Sequence, residues 1–362
     1  MARINKIELN NFRNFTKTNI SFNNNSNIFF GDNGSGKTNI LEGISLIAKG
    51  RGIRNAAIQD MIKNKNKEFL INSIIEINKN DYSIEVYTKN ENERFKKIIS
   101  INNDKSKQTN DFLNESLSYL VFLPEMERLF QSSPSTKRNF IDRLIFSEKN
   151  NYNKLINRYK KNILERSKIL QQNSYDGEWI KHVENEISNI GLEIYKLRNS
   201  QIEMLNLQIK NLNKKNKYEF DIILKVKDSF YSANLNQQNY LDNLIGSREF
   251  DKKFGGTKIG PHRSDIFAII NNQFDGSQLS TGQQKTVVLM ILLAQCNYLV
   301  NFKNISPILL LDEICSHLDS NNRKILLDIM NNFDLQLFLT GTEKTLFSFM
   351  STNVKFYNIT EL

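Results

Sequence analysis

The chain of 362 residues has few of the residues that hold together small secreted proteins or bind transition metals. Its two cysteines, Cys296 and Cys315, lie in apolar stretches, which indicates buried thiols in a reducing compartment rather than a disulfide framework. Three scattered histidines add no spacing typical of a metal site. The sequence contains no 18-residue apolar run of the kind that predicts a transmembrane helix, and the N-terminus lacks the apolar core of a signal peptide. The length suits two domains, or one large domain with an insertion.

The charge balance is basic, with 49 Lys and Arg residues against 39 Asp and Glu, a formal net charge of +10. Positive charge attracts polyanions, so this excess favours a nucleic-acid partner. Asn, Lys and Ile are abundant throughout, however, as the codons of an AT-rich genome would produce. Charge alone therefore does not identify the partner.

The stretch Gly-Asp-Asn-Gly-Ser-Gly-Lys-Thr at residues 31–38 fits the phosphate-binding pattern G-x-x-x-x-G-K-[ST]. An apolar strand at 27–30 precedes it and an amphipathic helix at 38–48 follows, which disfavours a chance glycine-rich turn. Glycines let backbone N–H groups surround phosphates, Lys37 can reach the terminal phosphates, and Thr38 can ligate Mg²⁺. The residues predicted to contact a nucleoside triphosphate are Gly31, Asp32, Asn33, Gly34, Ser35, Gly36, Lys37, Thr38 and Asn39.

An apolar run at 308–311 ends in two adjacent carboxylates, Asp312 and Glu313, which predicts a buried strand leading to a cation site. Asp312 fits the Walker B role of positioning Mg²⁺, directly or through water. Glu313 fits the role of polarising the attacking water, and Lys37 is the third predicted catalytic residue. The sequence Ser-His-Leu-Asp at 316–319 then matches a D-loop, which crosses a dimer interface.

The stretch Gln-Leu-Ser-Thr-Gly-Gln-Gln-Lys at 278–285 precedes a long apolar helix and allows two interpretations. Ser280 can cap this helix, with Gln283 completing a capping box. The stretch also resembles the Leu-Ser-Gly-Gly-Gln signature of ABC-type ATPases, in which Ser280, Gly282 and Gln283 would cover the γ-phosphate of ATP held by another subunit. The order of phosphate loop, signature, acidic strand and D-loop is specific to that superfamily.

The remaining pattern predicts β structure followed by helices. Predicted strands lie at 4–9, 18–22, 69–77, 82–88, 95–101, 218–226 and 266–270, and residues 102–111 are predicted to be a loop. Helical segments are predicted at 112–148 and 240–254, and two helices around a break at 173–177 predict an antiparallel hairpin projecting from the core. We therefore divide the chain into a first part of an ATPase head (1–111), a helical arm (112–217) and a second part of the head (218–362).

Basic residues in three places are candidates for DNA contact. Those singled out are Arg51, Arg54, Lys137, Arg138 and Arg143. Residues 151–217, within the arm, also have 13 Lys or Arg against 7 Asp or Glu, more than half of the excess charge of the chain. A solvated helix surface explains the helical clusters as well as DNA binding does. His262, beside Pro261 and Arg263, is typical of a structural histidine unless it neighbours the signature stretch.

Beyond single motifs, the chain resembles the RecF family of DNA recombination mediators nearly end to end. The matching segments are Ile7-x-Leu9-x-x-Phe12-Arg13-Asn14-Phe15, Thr38-Asn39-Ile40-Leu41-Glu42, Gly50-Arg51, Phe122-x-Pro124-Glu125, Ser133-Pro134 through Lys137-Arg138 to Asp142, Gly260-Pro261-His262-Arg263-x-Asp265 and Leu279-Ser280-x-Gly282-Gln283-Gln284-Lys285. The helical insertion is shorter than the arms of SMC or Rad50 proteins. The chain departs from the family pattern at Glu313, where Asp is usual, at His317, where an acidic residue is common, and in lacking an identifiable Q-loop glutamine.

The resemblance implies an α/β fold: an ABC-type ATPase head with a mixed sheet at the phosphate loop, an antiparallel β subdomain and an inserted helical domain. It implies ATP and Mg²⁺ as cofactors, and an ATP-dependent head-to-tail homodimer that clamps double-stranded DNA and single-strand to double-strand junctions, with single-stranded DNA bound more weakly. Slow, DNA-dependent hydrolysis would release the DNA. RecR and RecO would be partners in loading RecA during repair and the SOS response, in the cytoplasm at the nucleoid and without a membrane partner.

Two other functions stay open at this point. A nucleotide-binding subunit of a transporter would also carry these ATP motifs, but the helical insertion, the basic arm and the absence of a histidine after the strand at 336–339 argue against it. The other is a structural clamp in which hydrolysis is vestigial, against which the intact Asp312–Glu313 pair argues. The ATPase rate with and without gapped duplex DNA distinguishes these functions.

Overall fold

A computed structural model describes the chain except residues 49, 92, 93, 173, 317, 318, 351, 352 and 362. The strands are β1 (Ala2–Phe12), β2 (Phe15–Ser21), β3 (Ser26–Phe30), β4 (Leu70–Ile77), β5 (Asn80–Glu91), β6 (Arg94–Ile101), β7 (Tyr119–Phe122), β8 (Ile222–Lys227), β9 (Asp265–Ile270), β10 (Phe274–Asp275), β11 (Ile308–Leu311), β12 (Leu337–Gly341) and β13 (Val354–Asn358). The α-helices are α1 (Lys37–Ser45), α2 (Lys107–Ser116), α3 (Pro134–Glu148), α4 (Tyr152–Leu170), α5 (Gly177–Asn216), α6 (Gln237–Gly246), α7 (Arg248–Phe254), α8 (Thr281–Lys303) and α9 (Ser320–Asn332).

The chain divides into two compact units, the first formed by residues 1–127 and 288–362 and the second by residues 128–287. The sequence placed the boundaries after residues 111 and 217, and that functional division stays a prediction. The two compact units have other boundaries because of strand pairing and packing. β7 pairs with β11 in the first unit, and β8 packs on α5 in the second.

A parallel five-stranded sheet of order β13-β3-β12-β11-β7 organises the first unit. Every residue of β11 is buried, as expected for a parallel strand covered on both faces. The phosphate loop follows β3, and Asp312 follows β11. Because parallel strands end at the same edge of a sheet, both segments lie at its carboxyl edge.

The antiparallel sheet of the first unit has the order β2-β1-β4-β5-β6, which confirms the predicted hairpin and the three strands after it. Buried and less buried residues roughly alternate along β1 and β4, as expected when one face covers a core.

Two sequence predictions in this unit are wrong. Residues 119–122 were expected to be helical but form the edge strand β7, since four apolar residues cannot reveal their period and the pairing with β11 decides their structure. The predicted loop at 102–111 contains the first turns of α2, which Ser106 caps by accepting a hydrogen bond from the Thr109 N–H at 3.2 Å.

The second unit contains the predicted antiparallel hairpin, formed by α4 and α5 around a break at 171–176. The hairpin does not project freely within this unit, because α5 also packs on α3, α6 and β8. The single helix predicted at 240–254 is two helices, α6 and α7, separated at Ser247. β8, β9 and β10 form a small antiparallel sheet.

Among the described residues, α8 is long and apolar enough to cross a membrane by length and composition, which differs from the prediction of no such run. Polar residues such as Gln295 interrupt its apolar run. Of its most apolar 18-residue window, 72% is buried inside the molecule, so α8 has the burial of a core helix.

Candidate nucleotide-binding site

The phosphate loop has the backbone of an anion-binding turn. Gly31, Gly34 and Gly36 have φ values of 146°, 83° and 111°, which side chains on L-residues rarely allow. A Cβ at Gly34 would meet no described atom within 4 Å, whereas one at Gly36 would lie 2.5 Å from the Asn14 side chain. The loop is thus open to a ligand at Gly34 and closely packed at Gly36, and the predicted strand–loop–helix context is confirmed.

Lys37 lies inside this loop and is only 5% exposed. Its ammonium group donates to the carbonyl oxygens of Gly31 at 2.7 Å and Asp32 at 2.8 Å. Burial lowers the pKa of Lys37, and the nearby carboxylates of Glu313 and Asp312 oppose that shift. The Ser35 hydroxyl is buried without a hydrogen-bond partner in the described structure. An unpartnered donor beside a buried cation is a suitable environment for phosphate oxygens.

Asp312, which follows β11, contacts residues near the start of α1 and the end of β12 in the first unit. The Thr38 hydroxyl donates to its two carboxylate oxygens at 3.0 and 2.9 Å, and the Thr340 hydroxyl, in β12, donates to Oδ1 at 2.7 Å. Asp312 is 3% exposed. Carboxylate and hydroxyl oxygens are ligands that suit Mg²⁺, so Thr38 and Asp312 fit the predicted metal site.

Glu313 has a backbone φ of 49°, a conformation that is uncommon for residues other than glycine. Its N–H donates to the Thr340 hydroxyl at 2.7 Å, and its carbonyl accepts from the Ser316 hydroxyl at 2.8 Å. These bonds hold the residue after Asp312 in a tight turn at the sheet edge, a place where strain is often retained for function. Within the predicted D-loop, His317 and Leu318 lie outside the described residues.

The signature stretch belongs to the second unit, and its predicted capping box is confirmed. The Gln283 N–H donates to the Ser280 hydroxyl at 3.3 Å, and the Ser280 N–H donates to Gln283 Oε1 at 3.0 Å. Within the part of the chain that the structure describes, a Cβ at Gly282 would meet no atom within 4 Å, so this helix start is open above the glycine. The role of these residues toward ATP stays a prediction.

The turn Phe-Arg-Asn-Phe at 12–15, to which the sequence gives no evident role, supports the phosphate loop. Asn14 donates through Nδ2 to the Ser35 carbonyl at 2.9 Å, and Arg13 donates to both carboxylate oxygens of Glu42 in α1, at 2.7 and 2.9 Å. The Glu42 side chain has no exposed surface. The sequence signal was the turn Phe-Arg-Asn-Phe itself, but only the fold places it against α1.

The candidate DNA contacts differ in accessibility. Arg51 and Arg54 are exposed, although Arg54 also donates to Asn39 Oδ1 at 2.9 Å. Lys137 is 8% exposed and forms an ion pair with Asp265 at 2.7 Å. These contacts favour a structural role for Lys137. Arg138 and Arg143 are intermediate in exposure, and Arg138 donates to the Ser264 carbonyl.

His262 lies in a hydrogen-bonded cluster of the second unit. Its Nδ1 is 2.8 Å from the Tyr159 hydroxyl, and its Nε2 is 2.9 Å from the Thr257 carbonyl. Burial lowers the pKa of His262 to about 4, so the ring is neutral near pH 7. These contacts indicate the structural histidine that its sequence context suggested.

Comparison with known proteins agrees with this geometry. The model of the RecF/RecN/SMC N-terminal domain matches residues 3–361. The DNA replication and repair protein RecF of Rickettsia felis is 31% identical over 345 residues, covering 94% of this chain and 93% of that protein. The RecF protein of Rickettsia massiliae is 32% identical over 344 residues, covering 94% of each.

Solved structures show the same fold. A structure of the recombination mediator protein RecF with ATP, from the RecFOR pathway, has 25% identity and a TM-score of 0.78, covering 95% of this chain and 94% of that one. The Smc head domain of Pyrococcus furiosus, at 18% identity and a TM-score of 0.53, covers 96% and 92% and shares the fold alone. The predicted α/β ATPase-head fold is therefore confirmed. The chain belongs to the RecF family of DNA replication and repair proteins, within the wider group of RecF, RecN and SMC ATPases.

Proposed function

We propose that this chain is an ATP-dependent DNA-binding protein of recombinational repair, which closes as a head-to-tail dimer on DNA and hydrolyses ATP slowly to reopen. The observation that best supports it is the contact of Thr38 and Thr340 with Asp312, which joins the phosphate loop to the acidic strand. Family membership supports the role in repair. The proposal includes gaps and single-strand to double-strand junctions as sites, RecR and RecO as partners in RecA loading, and a cytoplasmic, nucleoid-associated location.

The first unit has residues for each chemical task of hydrolysis. The loop N–H groups and the Lys37 ammonium would bind the phosphates, and Thr38 and Asp312 would hold Mg²⁺, which when bound neutralises charge developing on the transferred phosphoryl group. Glu313 would orient the attacking water and accept its proton on a carboxylate oxygen. Release of that proton to solvent returns the carboxylate for the next turnover.

Dimer closure would require the second unit of another copy. Ser280 and Gly282 stand at the start of α8, where helix N–H groups and partial positive charge favour a phosphate. The open space above Gly282 leaves room for such a contact. DNA would be held chiefly through phosphates, so we expect binding that is sensitive to salt and little dependent on sequence.

Lys37→Ala is the direct test of the phosphate site. Removing a charged hydrogen-bond donor should weaken ATP binding by roughly 10- to 150-fold, and ATP-dependent dimerisation and DNA binding should be lost together. Isothermal titration with ATP, followed by sedimentation and DNA binding in ATP, measures the three effects. Lys17→Ala, at a lysine whose side chain is 75% exposed, is the charge-matched control. Unchanged ATP affinity and DNA retention in Lys37→Ala would refute the clamp.

Ser280→Arg tests whether the site is shared between subunits. A bulky cation at this helix start should leave ATP binding intact, because the phosphate loop is unaltered, and should abolish ATP-dependent dimerisation. Ser232→Arg, at another exposed serine of the second unit, is the control. In a mixture with Lys37→Ala, a mixed dimer places both lesions in one composite site and leaves the other intact, so partial recovery of ATPase activity is expected. Normal dimerisation of Ser280→Arg on ATP would contradict sharing.

A further inference from the structure

The short helix α7 has an inverted distribution of polar and apolar residues. Asp251 is 2% exposed, whereas Phe250 and Phe254 are 52% and 57% exposed. A surface helix normally turns its apolar face to the core and its charges to water. Two large aromatic rings on the solvent side of one helix therefore require an explanation.

A buried ion pair fixes the rotation of this helix. Arg166 in α4 has no exposed surface, and its Nη1 donates to Asp251 Oδ2 at 2.7 Å. The Ser247 hydroxyl donates to the same oxygen at 2.8 Å, and the Lys258 N–H donates to Oδ1 at 3.2 Å. With Asp251 held inward by three donors, the helix cannot turn its phenylalanines into the unit.

The two rings form one continuous surface. Residues four apart lie on the same face of a helix, and the ring centroids of Phe250 and Phe254 are 4.6 Å apart with 36° between the ring planes. The Lys253 ammonium lies 5.6 Å from the centroid of the Phe254 ring. The aromatic surface thus carries a cation at its edge.

One lysine and two glycines extend this surface beyond the end of α7. Lys258 is exposed, and its ammonium donates to the Phe254 and Gly255 carbonyls at 3.3 and 3.0 Å. Gly255 and Gly256 have φ values of 70° and 71°, and a Cβ at either would meet no atom of the described residues within 4 Å. The backbone here is open to close approach by a ligand.

We propose that Phe250 and Phe254, with Lys253 and Lys258, form a stacking platform for unpaired bases of single-stranded DNA. Aromatic rings stack on bases of any sequence while cations meet the phosphates, and this combination is typical of sites for single strands. Duplex DNA keeps its base faces stacked internally, so the rings select unpaired bases. The proposal rests on the proposed function in taking DNA as the ligand, but it needs neither ATP nor a dimer.

The test replaces both phenylalanines by residues that keep or remove the ring. Binding of a fluorescent oligothymidylate of about 16 nucleotides, near the upper end of single-module site sizes, is measured by anisotropy without nucleotide. Phe250→Leu with Phe254→Leu keeps apolar side chains but loses the ring faces, so affinity should fall by about 5- to 150-fold for each base that stacks. Phe250→Tyr with Phe254→Tyr keeps the ring faces, so its affinity should stay within roughly a few fold of the wild-type affinity. Wild-type affinity in the leucine pair, or equal loss in both pairs, overturns the proposal.

Controls separate this platform from the ATP-driven clamp. Phe302→Leu, at a ring 62% exposed near the end of α8, should bind the oligonucleotide normally. Lys37→Ala should also retain oligonucleotide binding while losing ATP-dependent duplex binding. The leucine pair should lose oligonucleotide binding and retain ATP-dependent duplex binding. A leucine pair that loses duplex retention in ATP but keeps oligonucleotide binding contradicts the platform. A protein from a cell lysate could also bind wild type but not the leucine pair. If oligonucleotide binding by the leucine pair then stays normal, the surface docks a protein and the proposal is overturned.

Discussion

Glu313→Gln is expected to bind ATP with nearly wild-type affinity and to hydrolyse it about 10²–10⁴-fold more slowly, the usual cost of losing a general base. The substitution keeps the side-chain shape and one oxygen but removes the basic charge. The phosphate loop, Lys37 and the Thr38–Asp312 contact remain intact. Because closure needs ATP and reopening needs its hydrolysis, this variant should accumulate as ATP-bound dimers that dissociate slowly from DNA.

Asp312→Asn is the contrasting variant for comparison with Glu313→Gln, since it removes the neighbouring carboxylate charge from the same strand end. Thr38 and Thr340 both donate to Asp312, so this change should disturb the metal site and lose dimer closure as well as turnover. The measurements are the dissociation rate from DNA and the dimer fraction in ATP for both variants. A Glu313→Gln protein that leaves DNA as fast as wild type, with hydrolysis abolished, would show that reopening does not depend on hydrolysis.

The parts of the site that the sequence predicted are those that local chemistry determines. The glycines at 31, 34 and 36 predict left-handed or otherwise unusual backbone, and the structure has it. The capping box at Ser280 is likewise a short-range pattern. Thr340 was missed because it reaches Asp312 only through the pairing of β12 with β11. A threonine at the end of a strand has no local signal for that contact.

The fold was predicted least well where tertiary pairing overrides a weak local pattern. Residues 119–122 became a strand because β11 was available as a neighbour, and four apolar residues are compatible with helix or strand. Buried polar residues of the hairpin helices α4 and α5 have a physical role that no local sequence pattern shows. Arg198 is 5% exposed and donates to the Asp142 carboxylate at 2.8 and 2.9 Å, so part of the basic charge of the arm is neutralised inside the unit.

Arg166 in α4 is fully buried, and it joins several elements of the second unit. Its guanidinium donates to Glu184 Oε1 at 2.9 Å, to Asp251 Oδ2 at 2.7 Å and to the Leu244 carbonyl at 2.7 Å. All three side chains of the ion pairs, Arg166, Glu184 and Asp251, have no exposed surface. A buried charge that loses its partner is costly, because water cannot replace the lost interaction.

Arg166→Met should therefore destabilise the protein by about 3–5 kcal/mol, measured as the free energy of unfolding in urea. The variant leaves the Asp251 carboxylate buried with two neutral donors among the described residues, Ser247 and the Lys258 N–H. Glu184 retains Arg248 and should suffer less. Adding Asp251→Asn to Arg166→Met removes the unpaired charge, so the double variant should recover part of the loss, a coupling that double-mutant analysis measures.

Arg158→Met gives the matched control, since it makes the same substitution in the same helix α4. Arg158 pairs with Glu186, but its side chain is 62% exposed, and exposed ion pairs contribute about 1 kcal/mol or less. Equal destabilisation by the two variants would mean that burial of the Arg166 cluster adds nothing. Since Asp251 also fixes the rotation of α7, Arg166→Met should additionally disorder the outward placement of Phe250 and Phe254. Oligothymidylate affinity should therefore fall in Arg166→Met even at temperatures where the protein remains folded, and remain normal in Arg158→Met.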